Sequence, residues 1–240
     1  MDEWHPIDIN ISELCLTDGK RILFMTDGLY RAGLSGAEDN KYIDSRLFKH
    51  YEDVESRVRY LKCKPNDIFI DIGAAIGSWS IHAAVYGATV YAFEIGRPHT
   101  TALSMNASLN NVSDKINVYE LAMSSSDGEL CYDGWMKTYG SKSLGYKHVV
   151  KCVMLDTWVE QHRDELPKID YIKIDVEGAE FEVLRGAYNT IREFWPKLII
   201  EIHEDQTSNI RYDIEYMLKD LGYSHERIYG LNDYFYKTSV

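Results

Sequence analysis

The hydrophobic pattern of the chain changes near residue 66. Before that point, Ile9-Asn-Ile-Ser12 and Arg21-Ile-Leu-Phe-Met25 alternate or run apolar, and Thr17-Asp-Gly19 and Thr26-Asp-Gly28 lie between and after them. Asp-Gly is a strong turn signal, so a β-hairpin or small meander is expected, followed by a helix over residues 43–62. From residue 66, short apolar runs alternate with helical patterns. Strands are expected at 67–71, 89–94, 116–121, 170–175 and 197–203, and helices at 79–86, 98–110, 179–190 and 210–221. Gly87 and Gly222 read as helix stops and Pro98 as a helix start. Residues 129–153 hold two alternating stretches around a Gly- and Ser-rich loop, which reads as an inserted hairpin. Two short strands near 225–229 and 234–238 close the chain. This succession gives an α/β fold, a mostly parallel sheet with helices on both faces. Residues 1–60 are read as an extension of hairpin plus helix, and 61–240 as the main domain.

In such sheets ligands bind outside the carboxyl ends of the strands. The first of these ends carries Asp71-Ile-Gly-Ala-Ala-Ile-Gly77. Gly73 and Gly77 can take positive φ and let a ligand approach the backbone, with Ala74 and Ile76 between them. The G-x-x-x-G spacing departs from the G-x-G-x-x-G of dinucleotide sites. Asp71 before the first glycine would repel a pyrophosphate and suits an ammonium or sulfonium. Glu94 ends the second strand, 17 residues after Gly77, where a carboxylate can accept both hydroxyls of a ribose. Ile95 follows it. The turn after the third strand, Leu121-Ala122, offers apolar and backbone contact to an adenine, with Glu120 one position earlier.

The string Lys173-Ile-Asp-Val-Glu-Gly-Ala-Glu180, with Asp71 to Gly77, Phe93-Glu94, Leu155-Asp-Thr-Trp158 and Pro196-Lys-Leu-Ile-Ile-Glu-Ile-His203, resembles the FkbM methyltransferase family from about Asn66 to Glu204. Asn106, Asn110, Asn111 and Asp127-Gly128 fit as well. The resemblance implies a class I methyltransferase (Rossmann-like) fold of seven strands in the order 3-2-1-4-5-7-6, the seventh antiparallel. It implies S-adenosyl-L-methionine as cofactor, bound by Asp71, Gly73, Ala74, Ile76, Gly77, Glu94, Ile95, Leu121 and Ala122. It also implies O-methylation of a sugar, glycan or other small-molecule hydroxyl. The chain departs from the family at Ala75, where Asn is usual, and at Ile95-Gly96, where Pro follows the acid.

Methyl transfer to a hydroxyl needs oxygen, carbon and sulfur in line and a group to take the proton. Asp175, Glu177 and His203, at strand carboxyl ends, are the candidates for base or substrate anchor. Asp175 and Glu177 could instead only cap the following helix, and His203 could be a satisfied polar residue. Glu180 and Glu182 are read as solvated helix residues, and Lys173 as paired with a carboxylate. No close-spaced motif such as H-x-x-x-H appears, so no metal site is expected, although Asp175, Glu201 and His203 together offer ligands that would suit Mg²⁺ or Mn²⁺. Hydroxyls of the loop Thr138–Gly145, with Trp135 and Tyr139, could form a sugar-binding lid.

Composition narrows the function further. A 240-residue chain with 45% hydrophobic and 27% charged residues can bury a large core. Its net charge of −12 argues against nucleic acid and suits a cationic ligand or neutral sugar. A nucleic-acid methyltransferase or a non-catalytic scaffold on the same fold are the alternatives. No run is long enough to span a membrane. Met1-Asp2-Glu3-Trp4 lacks signal-peptide features, so a cytoplasmic protein is expected, and the N-terminal hairpin could either cover the cofactor or make the contact of a homodimer. Cys15, Cys63, Cys131 and Cys152 are far apart and read as free thiols, with a Cys131–Cys152 disulfide as the alternative.

Overall fold

A computed structural model describes residues 11–16, 18–25, 60–132, 138–139, 148–203, 209–227 and 232–237. The chain opens with the expected hairpin, β1 (Ile11–Cys15) and β2 (Arg21–Met25), paired antiparallel through a turn at Asp18-Gly19. Most of the helix expected over residues 43–62 lies outside the described residues.

The main domain runs β3 (Ile68–Ile72), α1 (Ser78–Val85), β4 (Thr89–Glu94), α2 (Arg97–Leu109) and β5 (Ile116–Glu120). Next come β6 (Ala122–Met123), β7 (Gly128–Tyr132), β8 (Thr138–Tyr139), β9 (His148–Val153) and α3 (Leu155–Gln161). It continues through β10 (Tyr171–Ile174), α4 (Glu180–Gly186), α5 (Tyr188–Phe194), β11 (Lys197–Glu201), α6 (Ile210–Asp220), β12 (Ser224–Arg227) and β13 (Asn232–Tyr236). Seven strands form one sheet in the order β5-β4-β3-β10-β11-β13-β12. All neighbours are parallel except β13, which is antiparallel to both β11 and β12. This is the expected 3-2-1-4-5-7-6 order with the last strand reversed.

The sheet is buried on both faces: its central strands are buried at every position, and apolar at all but Asp71 of β3 and Lys173 of β10. Ile68, Ile70 and Ile72 of β3 face a core closed by α3 to α6, with Trp158, Leu184, Ile191 and Leu218. Phe69, between them, faces the other way into a layer with Trp79, Ile81 and Leu103 of α1 and α2. Leu16, Ile22 and Phe24 of the N-terminal hairpin are buried in that same layer. Polar contacts fix the hairpin further. Asn110 accepts from the Leu23 amide at 2.8 Å, and Asn106 from the Met25 amide at 2.9 Å. At the turn, Tyr86 Oη donates to Asp18 and Lys20 lies over the Tyr86 ring.

Two features differ from expectation. The single helix expected over 179–190 is two helices, broken at Ala187. A Cβ on Gly186 would stand 1.9 Å from the Ser124 carbonyl oxygen, so the chain presses against the β6–β7 connection there. Asp156 of α3 then caps the restarted α5, accepting from the Asn189 and Thr190 amides at 3.0 and 2.7 Å. The inserted hairpin is larger than a hairpin: β6, β9, β7 and β8 make a four-stranded sheet of their own. Most of the loop read as a sugar lid, including Trp135, lies outside the described residues. The alternative disulfide does not form. Cys131 sits opposite Val149 and Cys152 opposite Gly128, and both thiols are free.

Candidate functional site

The strand order reverses between β3 and β10, and the residues expected to carry function converge there. Gly73 follows β3 directly. A Cβ on it would lie 1.7 Å from the Asp175 carbonyl oxygen just past β10, and its φ is 75°. Only glycine lets these two strand ends close up. The amides of Gly73 and Ala74 donate to the Phe93 carbonyl, and Gly77 enters α1 at φ 90°. The loop therefore crosses from β3 over the end of β4.

Glu94 ends β4 beside this loop and is 8% exposed. One carboxylate oxygen accepts from the Ala75 amide at 2.9 Å, the other from Gly96 at 2.8 Å, and His99 Nδ1 stands 3.5 Å away. Burial alone would raise its pKa, but His99 and these two amides outweigh it and hold the carboxylate below the ordinary range. A carboxylate has about four lone-pair sites. The two amides use half, leaving capacity for a ligand diol. Ile95 packs on the cluster of Ala122, Val150 and Cys152, and Leu121 on the main core, so these predicted residues form apolar walls beyond Glu94.

Beneath the loop lies a buried charge chain. Asp71 is fully buried and accepts from Ser80 Oγ at 2.6 Å. Lys173, 3% exposed, donates to the Gly73 carbonyl at 2.7 Å and faces Asp175 at 3.2 Å and Asp71 at 3.6 Å. Burial pushes the Asp71 carboxyl up, against Lys173 and Ser80. Burial opposes the Lys173 charge too, but Asp175 and Asp71 overcome it and keep the ammonium. The expectation that Lys173 pairs with a carboxylate holds. Asp71 offers no surface to a ligand; it anchors Lys173, which in turn clamps the glycine loop to β10.

Above it, Asp175, Glu177 and His203 come together. One ligand-capable atom from each lies within 4.8 Å of the other two. His203 Nε2 is 3.2 Å from Glu177 and 3.7 Å from Glu201, and Nδ1 is 3.0 Å from Glu180 Oε1. Burial would lower the His203 pKa, yet Glu180, Glu177 and Asp175 raise it to about 9. Glu180 is a correction to the sequence reading. It is fully buried, not solvated, and the same carboxylate also accepts from the Gly178 amide at 2.9 Å. Glu182 is half-exposed and pairs with Arg185 and Ser125. Glu177 takes a left-handed φ of 57°, which turns the chain ahead of α4. The carboxyl ends of β3, β4, β10 and β11 thus carry more carboxylates than cations. That excess of negative charge suits a cationic ligand.

The methyltransferase FkbM domain matches residues 71–225. The chain belongs to the FkbM methyltransferase family. This is a family of S-adenosylmethionine-dependent methyltransferases, and the matched span includes the Lys173–Glu180 segment, which supplies Lys173 and Asp175 to the charge chain and Asp175 and Glu177 to the cluster above it. Among curated proteins, the chain is 27% identical over 197 residues to methyltransferase sdnD of Sordaria araneosa, covering 68% of this chain and 75% of that protein. It is 28% identical over 151 residues to hexuronic acid methyltransferase AglP of Haloferax volcanii, covering 59% of this chain and 58% of that one. A crystal structure of an FkbM methyltransferase from Methylobacillus flagellatus superposes with a TM-score of 0.54 at 16% identity, over 87% of this chain and 58% of that one. The chain therefore spans somewhat over half the length of AglP and of that structure.

One position in the glycine loop carries a physical cost. Ala75 holds φ 47°, a left-handed conformation that Asn tolerates and alanine does not favour. Asn106, which the sequence marked only as fitting the family, is fully buried and bridges two regions: its side chain accepts from the Met25 amide and donates to the Ile76 carbonyl at 3.0 Å. Sequence reasoning gave no role to Ser80 or His99. Their positions follow from helix phase, one turn into α1 and at the start of α2, and phase against a strand end is not readable before the fold is known. Among the described residues no helix is long and apolar enough to cross a membrane.

Proposed function

We propose that this chain is an S-adenosylmethionine-dependent O-methyltransferase acting on a hydroxyl of a sugar or other small molecule. The observation that carries the reading is the convergence of Glu94, the Gly73–Gly77 loop and the Asp175–Glu177–His203 cluster at one end of the sheet. S-adenosylmethionine supplies a methyl group on a cationic sulfur. Glu94 takes the ribose diol with its remaining lone pairs, and Ile95, Leu121 and Ala122 flank the adenine. Asp175 and Glu177 stand where the acceptor hydroxyl arrives, as base or anchor. Both ring nitrogens of His203 are engaged by carboxylates, which makes it a positioning residue for Glu177 in this arrangement. The likeness to a hexuronic acid methyltransferase and the net charge of −12 support a sugar acceptor over nucleic acid.

Calorimetry with S-adenosylmethionine, for wild type and Glu94→Gln, tests the cofactor half. Wild type is expected to bind, and the variant to bind at least about tenfold more weakly, because a charged acceptor of two hydroxyls becomes a neutral one. A screen of methyl transfer to hexuronic acids, neutral sugars, small hydroxylated molecules and RNA tests the acceptor half. Wild type that binds no S-adenosylmethionine overturns the whole reading, and transfer to RNA alone overturns the acceptor.

A further inference from the structure

We infer that Asp175, Glu177 and His203 form a binding site for one divalent cation of the Mg²⁺/Mn²⁺ class, placed to hold the acceptor hydroxyl. Three observations point to a ligand at this position. The first is spacing. The three ligand atoms lie within 4.8 Å of one another, and His203 Nε2 is 3.2 Å from the Glu177 carboxylate. Neighbouring ligands on an octahedral ion with bonds of about 2.1 Å are about 3.0 Å apart, so the pair already spans one octahedral edge. The second is orientation. Glu180 is fully buried and receives Nδ1 of His203, which aims Nε2 at Glu177, where an ion would take the place of the Nε2 proton. A buried carboxylate behind an imidazole is the arrangement that turns histidine into an oriented ligand. The third is an unmet charge. Glu180 Oε2 is buried with no hydrogen-bond partner, whereas the Asp71 oxygen without one still faces the Lys173 ammonium at 3.6 Å. A buried carboxylate oxygen without a donor, on the residue that holds the His203 ring, leaves room for further positive charge at the cluster.

A second group of similar composition, Glu215, His225 and Asp233, makes the contrast. There Asp233 is fully buried, and Arg211 and His225 take its two oxygens at 2.7 and 2.5 Å. A guanidinium already supplies the cation, so that group ties α6 to β12 and β13 and is not a metal site. In the first group the donors are two carboxylates and one imidazole, a hard set with a single nitrogen, which suits Mn²⁺ above Mg²⁺ and gives Zn²⁺ no tetrahedral sulfur or histidine set.

The cation would draw charge from the acceptor oxygen. The hydroxyl proton leaves to a carboxylate or to water, the oxygen–carbon bond forms as the carbon–sulfur bond breaks, and sulfur keeps the electron pair. This deepens the acceptor site proposed above and rests on that reading, but it is measured separately. Chelator-treated full-length protein is titrated with Mn²⁺ alone and then with S-adenosylmethionine present, following the loss of the free Mn²⁺ paramagnetic resonance signal. One ion per chain is expected, with at least tenfold weaker binding in Glu177→Gln and in His203→Gln, and unchanged binding in Glu215→Gln. Melting curves check that each variant is folded. Absence of stoichiometric Mn²⁺ binding in wild type, or equal binding in all variants, overturns the inference. Protein that binds S-adenosylmethionine and transfers methyl groups equally in excess chelator also overturns it while leaving the methyltransferase reading intact.

Discussion

Replacing Gly73 with alanine tests whether the close approach of β3 and β10 builds the site. The new Cβ would stand 1.7 Å from the Asp175 carbonyl oxygen and 2.8 Å from its carbon. An ordinary carbon–oxygen contact is more than 3 Å, so the strand ends would have to part by about 1.5 Å. The oxygen cannot swing away, because it belongs to backbone that is held to β3 through the Asp175 amide on the Ile72 carbonyl at 3.0 Å. Alanine at φ 75° adds about 1–2 kcal/mol, and overpacking against rigid backbone about 1–3 kcal/mol more. The sum is about 2–5 kcal/mol, or a fall in Tm of roughly 4–20 °C for a domain of this size. Gly178→Ala is the control. It carries a φ of 104° but meets nothing within 4 Å, so it should lose only the conformational part. Urea denaturation of both variants, with calorimetry of S-adenosylmethionine at a temperature where both are folded, reads the difference. Gly73→Ala that is no less stable than Gly178→Ala and binds the cofactor as wild type does would refute the argument.

Other outcomes follow from the same contacts. Lys173→Met should cost about 3–5 kcal/mol in urea denaturation, because Asp71 stays buried with only Ser80; adding Asp71→Asn should recover much of the loss. Ala75→Asn should raise stability by about 0.5–1 kcal/mol by relieving the left-handed alanine, seen as a higher Tm, and an unchanged or lower Tm would count against strain there. His82 is buried, and burial lowers its pKa from 6.5 to about 4, against a backbone contact at Leu61 that favours the charged ring. It stays neutral in the fold while the unfolded chain takes up the proton below pH 6.5. Stability is therefore complete above pH 6.5 and falls as pH drops towards 4, by about 2 kcal/mol between pH 7.5 and 5. His82→Leu should remove that part of the acid sensitivity, and equal slopes in the two proteins would disprove the assignment.

The sheet was legible because its signals are local. Apolar runs of four to six residues, an acid at the end, and glycines after it mark β3, β4 and β10 whatever surrounds them. The strand order came from family resemblance, not from periodicity. What stayed hidden depends on contact between distant segments. Glu180 stands one position inside a helix, where a carboxylate reads as solvated; its burial arises only because His203, 23 residues later, returns to the same strand end. The break at Ala187 is invisible for the same reason, since the chain that Gly186 presses against is the Ser124–Ser125 connection. Asn106 carries no sequence signal for its double role, because one of its partners lies in the N-terminal hairpin 81 residues away.

The charge balance bears on how the site would work. The sulfonium of S-adenosylmethionine is positive before transfer and neutral after it, so carboxylates nearby hold the ground state more tightly than the transition state. On the proposed reading, Asp175, Glu177 and Glu201 would favour cofactor binding, and by themselves would oppose loss of the positive charge from sulfur. Rate must come from alignment and from removal of the acceptor proton. Lys173 cannot relieve the imbalance at the surface, being committed to Gly73, Asp71 and Asp175 below it. A divalent cation among Asp175, Glu177 and His203 would change the sign of the effect. It would cancel the carboxylate excess and draw on the oxygen that loses its proton, the one place where negative charge develops. Two consequences separate this from a purely structural ion. Removing the metal should leave cofactor affinity unchanged or slightly tighter, while kcat falls. A fall in cofactor affinity with kcat preserved would mean that the ion serves the fold of the loop and not the transfer.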